Sequence, residues 1–552
     1  MATNNNTPVL HRKEWQMMTP APTASVAGAF VVAAGSSHRD VAMYVTSATV
    51  QYIYSHDEDG WLQIPSAALA GTFGAGACGA YSPWSITFTA NGGTTTTVTV
   101  AAATHNITGS AVGKTIEFIS SGTNTGLRRK ITNVDSQVGN GTITITFDYA
   151  VNTAVLSTHT FRIADGAFFL MSAGTTAAGS WKRFDKNTRA WQASLSTTNL
   201  PASWATDGKA VCTATHENVV ANGTATSGST TTIVDTTKSW TVNEFVGRWV
   251  MIVDGTGEGQ MVEITSNTAT TLTFSAITTG ADATSVYQVT EGQPAYAIGV
   301  ATSGSATTVV NSAKAWTANQ WTNYQVRIIS GTGVGQVRTI ASNTGTTLTI
   351  AAGATIDSTS VYVIESNDDF IFLLGNNAVT MYRYSISGNT WSVVAPTVAR
   401  GAAPGLGMCA DFIGFSGNAV WATENTIRDG RYIYSMRGGA GALIDRFDIA
   451  GGTAGAGSWE AVTYIGQETF TTGSSAFQSG EWLYIRKDAT NRFFKYSVVR
   501  NVIFPFATNT YTDGAALLGQ KMWVKSLDST EEVRWVYSLQ NTGTALHRVM
   551  II

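Results

Sequence analysis

One stretch of the chain is written twice in tandem, and that duplication limits the fold more than any other feature. Residues 223–289 contain ATSGSTTTIVDTTKSWTVNEF, VDGTGEGQMVEITSNTATTLTF and DATSVYQV, and residues 299–364 contain ATSGSATTVVNSAKAWTANQW, ISGTGVGQVRTIASNTGTTLTI and DSTSVYVI. Trp240 matches Trp316, Gly255 matches Gly331, Gln260 matches Gln336 and Asn267 matches Asn343. A degenerate third copy lies at about 84–163, where residues 119–131 align with residues 328–340. Each copy alternates apolar and polar residues and is broken by SG, TG or SNT turns. It reads as a module of about 65–75 residues built from short antiparallel strands.

With the three modules set aside, a longer period emerges. Aromatic strands and polar turns (YIYSHDEDG, WKRFDKNTR, MYRYSISGN, IDRFDIAGG) lead into strands that carry Trp61, Trp191, Trp391 and Trp459. Cys78, Cys212 and Cys409 follow the first three of these Trp by 17, 21 and 18 residues, each in a small-residue run. The period is four strands: one small-residue-rich, two aromatic and one beginning at Trp. Six units are expected, at about 26–66, 73–195, 207–395, 405–464, 472–508 and 513–552. Four short antiparallel strands per repeat describe a β-propeller blade. In unit four, Gly438-Gly439, Phe447 and Trp459 give the Gly-pair, aromatic strand and Trp of a blade that resembles kelch-type propellers.

The expected fold is therefore all-β: a propeller of about six blades with small antiparallel β-sandwich or barrel domains inserted in blades 2 and 3. The division is 1–25 an extended arm, 26–83 propeller, 84–163 the first module, 164–215 propeller, 216–292 the second module, 293–366 the third, and 367–552 propeller. Both insertions fall between the first and second strands of their blades, so the modules should share one face of the wheel. The arm, with Pro8, Pro20, Pro22 and Trp15, is expected to lie on a neighbouring subunit.

Composition agrees and narrows the function. The 552 residues include 55 Gly but only 12% charged residues, which is poor helix material and good strand-and-turn material. Lys+Arg 33 against Asp+Glu 36 leaves a net charge of -3, without the basic excess that a sequence-specific nucleic-acid binder needs, although the protein could still line a DNA passage. No apolar run is long enough for a transmembrane helix, and residues 1–14 lack the apolar core of a secretory signal. The three cysteines, widely spaced among Ala and Gly, read as small core residues made in a reducing compartment.

Motifs that could carry chemistry are weak. The seven histidines (His11, His38, His56, His105, His159, His216, His547) have no metal-ligand spacing, and no cofactor or metal is expected. Residues 55–61, Ser-His-Asp-Glu-Asp-Gly-Trp, have the wrong spacing for a sialidase Asp-box and read as an acidic turn, with a loose cation site as the alternative. Residues 109–115 are one residue short of a P-loop and have no following helix. The glycines of 255–259 and 331–335 mimic a dinucleotide loop but join two strands. Candidate binding or interface residues are Trp240, Trp249, Trp316, Trp321 and Tyr324 of the modules, and Trp421 of a long loop at 411–429. Matched positions in the two copies favour a core role for the module aromatics over sugar stacking.

An uncharged Thr/Gly/Ala-rich all-β chain with inserted β modules resembles the structural proteins of tailed-bacteriophage virions. Its layout is similar to that of propeller tail nozzle proteins. That resemblance implies a non-catalytic ring protein of the tail or neck, located in the virion, whose partners are other copies of itself, other tail or neck proteins, and fibres. Two alternatives remain: a receptor- or glycan-binding propeller that meets host surface glycan, and an enzyme of the sialidase or kelch-oxidase kind.

Overall fold

The computed structural model describes residues 16–24, 30–33, 41–45, 51–55, 59–64, 77–82, 87–101, 107, 111–120, 122–137, 141–163, 167–172, 178–185, 190–191, 195–201, 209–213, 219–290, 296–365, 370–374, 380–386, 388–399, 407–409, 432–437, 443–452, 456–463, 468, 470, 475–479, 482–487, 490–497, 500–508, 514–525, 530–540 and 543–551. Among them there is no α-helix, and the protein is all-β. The strands form six four-stranded and three seven-stranded antiparallel sheets.

The four-stranded sheets follow the chain. The first is Phe30–Ala33, Val41–Val45, Gln51–Ser55 and Gly60–Ile64. The second is Cys78–Ser82, Ala167–Met171, Trp181–Asp185 and Ala190–Trp191. The third is Lys209–Thr213, Phe370–Leu374, Met381–Ser385 and Thr390–Val393. The fourth is Gly407–Cys409, Tyr432–Arg437, Leu443–Asp448 and Ser458–Thr463. The fifth is Ser475–Ser479, Trp482–Arg486, Arg492–Ser497 and Val502–Thr508. The sixth takes Gly514–Lys525, Thr530–Gln540 and Leu546–Ile551 from the end of the chain and its fourth strand, Gln16–Met17, from the beginning.

That last pairing corrects the expectation for residues 1–25. Gln16 and Met17 are the register partners of Arg548 and His547, and the amides of Met18 and Ala21 donate to the carbonyls of Leu546 and Thr544. Residues 16–21 thus lie on their own chain, because the open edge of the third strand of the sixth sheet offers unpaired backbone groups that a strand can satisfy. Residues 1–15 lie outside the described residues.

Two aromatic positions repeat through these sheets. Tyr54, Phe184, Tyr384 and Phe447 on the third strands face Trp61, Trp191, Trp391 and Trp459 on the fourth. The ring centroids lie 4.7, 5.0, 5.0 and 5.0 Å apart. Between neighbouring sheets the period of two decides which side chain meets which partner. On Phe370–Leu374, Ile371 and Leu373 pack with Phe169, Met171 and Trp181 of the second sheet, whereas Phe372 and Leu374 pack with Ile433, Phe447 and Trp459 of the fourth. Both faces of the third sheet are therefore core.

First strands adjoin in sequence order, the first sheet beside the second, the second beside the third, and so on to the sixth, whose Gly514–Lys525 lies beside Phe30–Ala33 of the first. Two of the connections that leave an outer strand then cross the next sheet in the same way. After Ala190–Trp191, the Ser196 amide donates to Asn389 Oδ1 and the Trp391 indole donates to the Ser196 carbonyl. After Gln16–Met17, the Thr19 amide donates to Asp59 Oδ1 and the Trp61 indole donates to the Thr19 carbonyl. The strap from the sixth sheet to the first uses the same donors and acceptors as the strap from the second to the third.

The seven-stranded sheets are the inserted modules. The first leaves the chain after Cys78–Ser82 and returns at Ala167–Met171; the second and third lie between Lys209–Thr213 and Phe370–Leu374. All three share one strand order, illustrated by the second: Val219–Thr224, Val286–Thr290, Trp249–Asp254, Met261–Asn267, Thr271–Phe274, Thr232–Val234 and Ser227–Gly228. In each, the central strand slips register at matching places, Ile131/Asn133, Ile264/Ser266 and Ile340/Ser342. Such a bulge bends the strand, so one sheet folds over its own core.

Candidate functional site

The module aromatics lie mainly in the cores. Trp321 and Trp316 are buried, 1% and 7% exposed, within the core of the third module. Trp240 is half-buried and meets Phe245 and Tyr287 edge-on at 5.4 and 6.2 Å. Trp249 and Tyr324 are also half-buried, each packed against a buried cluster. Trp421 lies outside the described residues. Of the module residues only Trp240 and Trp316 occupy matched positions: Trp321 stands where the second module has Phe245, since both amides donate to the equivalent Asn side chain, Asn343 and Asn267. Tyr324 correspondingly takes the place of Arg248.

Those two asparagines explain why the SNT turn recurs. Each Oδ1 accepts the core aromatic's amide, and each Nδ2 donates to two carbonyls, Thr241 and Thr268 for Asn267, Thr317 and Thr344 for Asn343. The acidic turn of the first sheet has a similar structural task. Asp59 Oδ1 accepts from Thr19 and from the Tyr54 hydroxyl, while residues 56–58 lie outside the described residues. No group of three or more His, Cys, Asp and Glu that could hold a metal occurs among the described residues. No helix among the described residues is long and apolar enough to cross a membrane.

The three modules converge. Met251, Val253, Met261 and Val286 of the second form one buried cluster with Ile329 and Val363 of the third, and Tyr149 of the first packs against it. Each module contributes a left-handed glycine at the same hairpin position: Gly126, Gly259 and Gly335, with φ of 84, 87 and 81°. A Cβ on Gly259 would sit 2.3 Å from the Gly335 Cα, so these backbones touch directly. Beside this contact lies a buried ionic cluster that sequence reading missed. Glu117 meets Arg162 at 3.0 Å, Arg128 at 3.5 Å and, across the module boundary, Arg327 at 3.8 Å; Arg327 also bonds Glu365 at 2.8 Å. Burial pulls the Arg128 guanidinium below its usual value, and the Glu117 carboxylate opposes that pull. Arg129 donates to the Val253 carbonyl of the second module at 2.8 Å. In an alternating strand these charges occupy positions that read as solvent-facing; only packing between modules buries them.

The third module also rests on the fourth sheet. Ala450, in the turn after Leu443–Asp448, belongs to the module's core, and the Tyr324 hydroxyl donates to the Ile449 carbonyl at 3.5 Å. A cavity of about 530 Å³ opens at this junction, with Trp316, Gln320 and Trp321 on the module side and Tyr432, Arg446, Asp448 and Glu460 on the sheet side. Arg446 is ion-paired with Glu460 and lies 5.0 Å from the centroid of the Tyr432 ring. Of the residues singled out from sequence, Trp316 and Trp321 reach this cavity; Gln320, Tyr432, Arg446, Asp448 and Glu460 were not anticipated, because a junction between two units leaves no local motif.

No family model matches the chain, and no curated protein matches it. Among solved structures, an auxiliary nutrient binding protein from Bacteroides ovatus aligns at 10% identity over 84% of this chain and 86% of its own, with a TM-score of 0.19. A Bacteroides thetaiotaomicron protein of unknown function aligns at 10% identity over 58% of this chain and 92% of its own, also with a TM-score of 0.19. Likeness at that level carries no argument about this protein's fold or function.

Proposed function

We propose that the six four-stranded sheets are the blades of a closed β-propeller, and that the protein is a non-catalytic structural component of a tailed-phage virion, a nozzle-like ring protein of the tail or neck. The observation that carries the closed wheel is the matched pair of straps. Thr19 ties to Asp59 and Trp61 as Ser196 ties to Asn389 and Trp391, so the sixth sheet relates to the first as the second relates to the third. A wheel whose last blade combines segments from the beginning and the end of the sequence leaves only the two-residue strand Gln16–Met17 at the outer edge of that blade, too short an edge to template aggregation.

The virion role rests on chemistry and layout. A scaffold acts by shape, and a chain with 12% charged residues and Thr/Ser-rich surfaces suits wet, symmetric docking of many copies. The three modules, locked together at one junction, form a lobe stiff enough to carry a fibre or a neighbouring ring. Electron microscopy of the purified protein and of the particle encoded with it tests this reading. The expected result is a ring of copies that antibody labelling finds at the tail or neck; a protein that stays monomeric and is missing from purified particles contradicts it.

A further inference from the structure

The cavity between the third module and the fourth sheet has the chemistry of a binding site, and its walls are held by both units. We infer that it takes a short neutral segment of carbohydrate, of about two sugar units. This goes beyond the scaffold role and does not depend on it.

Four observations carry the inference. First, the volume of about 530 Å³ falls within the range of about 300–1,000 Å³ usual for small-ligand sites. Second, Gln320 is 7% exposed and lies on the cavity wall. Its Oε1 accepts the Thr317 amide at 3.2 Å, and a backbone N–H fixes which end of the amide that is. The Nε2 end, a two-proton donor, has no hydrogen-bond partner among the described residues, which leaves a donor on the cavity wall for an incoming acceptor.

Third, the remaining polar groups mix donors and acceptors: the Arg446 guanidinium, the carboxylates of Asp448 and Glu460, and the Ser458 hydroxyl. Vicinal sugar hydroxyls donate and accept at once and match such a set. One guanidinium against two carboxylates leaves the wall acidic, which disfavours phosphate and sialic acid. Fourth, Trp316 and Tyr432 line the cavity from opposite sides of the junction, although only a small part of each ring reaches it, since they are 7% and 5% exposed. The site is also preorganised. Arg446 is held by Glu460 and by the Tyr432 ring, and the module is pinned through Tyr324 and Ala450, so little ordering remains when a ligand enters.

The test uses the full chain and four probes, lactose, chitobiose, sialyllactose and inorganic phosphate, followed by saturation-transfer NMR and tryptophan fluorescence. Lactose or chitobiose is expected to bind with a Kd of about 1 mM. Glu460→Gln, at an exposed carboxylate, and Gln320→Leu, which removes the amide, should each weaken that binding about tenfold or more. Trp240→Phe in the second module should leave it unchanged. Thermal unfolding of every variant separates lost binding from lost folding, and Glu460→Gln keeps the test decisive if Gln320→Leu does not fold. Three results overturn the inference: neither neutral disaccharide binds, only phosphate or sialyllactose binds, or binding persists in folded Glu460→Gln at full strength.

Discussion

Gly255 and Gly331 show how a single residue type dictates a module. Both sit at φ 76°, and a Cβ at either would lie 2.0 Å from a carbonyl oxygen, that of Thr284 or Thr359. The sequence marks these glycines as hairpin residues, and the duplication marks them as required. What it conceals is the close approach that excludes every other side chain. Gly255→Ala and Gly331→Ala should each destabilise their module by about 2–4 kcal/mol, from left-handed strain together with overpacking. Urea unfolding of each variant measures this, and a loss below about 0.5 kcal/mol, the scatter of ordinary surface substitutions, would contradict the close approach of the two backbones. The buried charges are the opposite case. Glu117 and Arg327 look like ordinary polar positions of alternating strands, because burial that arises between two modules leaves no trace in either one.

At the scale of elements, the aromatic strand followed by a Trp strand was legible, since Tyr384 and Trp391 stand seven residues apart across a turn, as do Tyr54 and Trp61. The clamp inside that turn was not. The hydroxyls of Tyr54, Tyr384 and Tyr496 donate to the side chains of Asp59, Asn389 and Asn501, each five residues on and each left-handed, with φ of 47, 48 and 56°. Asp and Asn tolerate that conformation and supply the acceptor, so an Asx five residues after the Tyr is the signal that could have been read. Asn389 also accepts the Ser196 amide of the strap. Asn389→Ala therefore strips two donors of their acceptor and should cost about 1–3 kcal/mol. Faster amide exchange at Ser196 is the specific signature, because a merely looser turn would leave that proton protected.

For the whole molecule, local pattern ran out at the two ends of the chain. Pro20 and Pro22 suggest an extended segment, and an extended segment can lie on a neighbour or on its own chain with the same composition. Only the unfilled edge beside Leu546–Ile551 decides between them, and that edge is a product of the complete fold. The proposed wheel is sealed by a strand from the beginning of the sequence. The most direct measurement is a cysteine cross-link between positions 16 and 548, which are register partners in adjacent antiparallel strands. Such partners lie about 4.5–5.5 Å apart between Cα atoms, within reach of a disulfide. Gln16→Cys combined with Arg548→Cys, oxidised in dilute solution and mapped by mass spectrometry, should give a disulfide within one chain and a higher melting temperature. A disulfide that joins two chains, or none at all, would contradict the closed wheel.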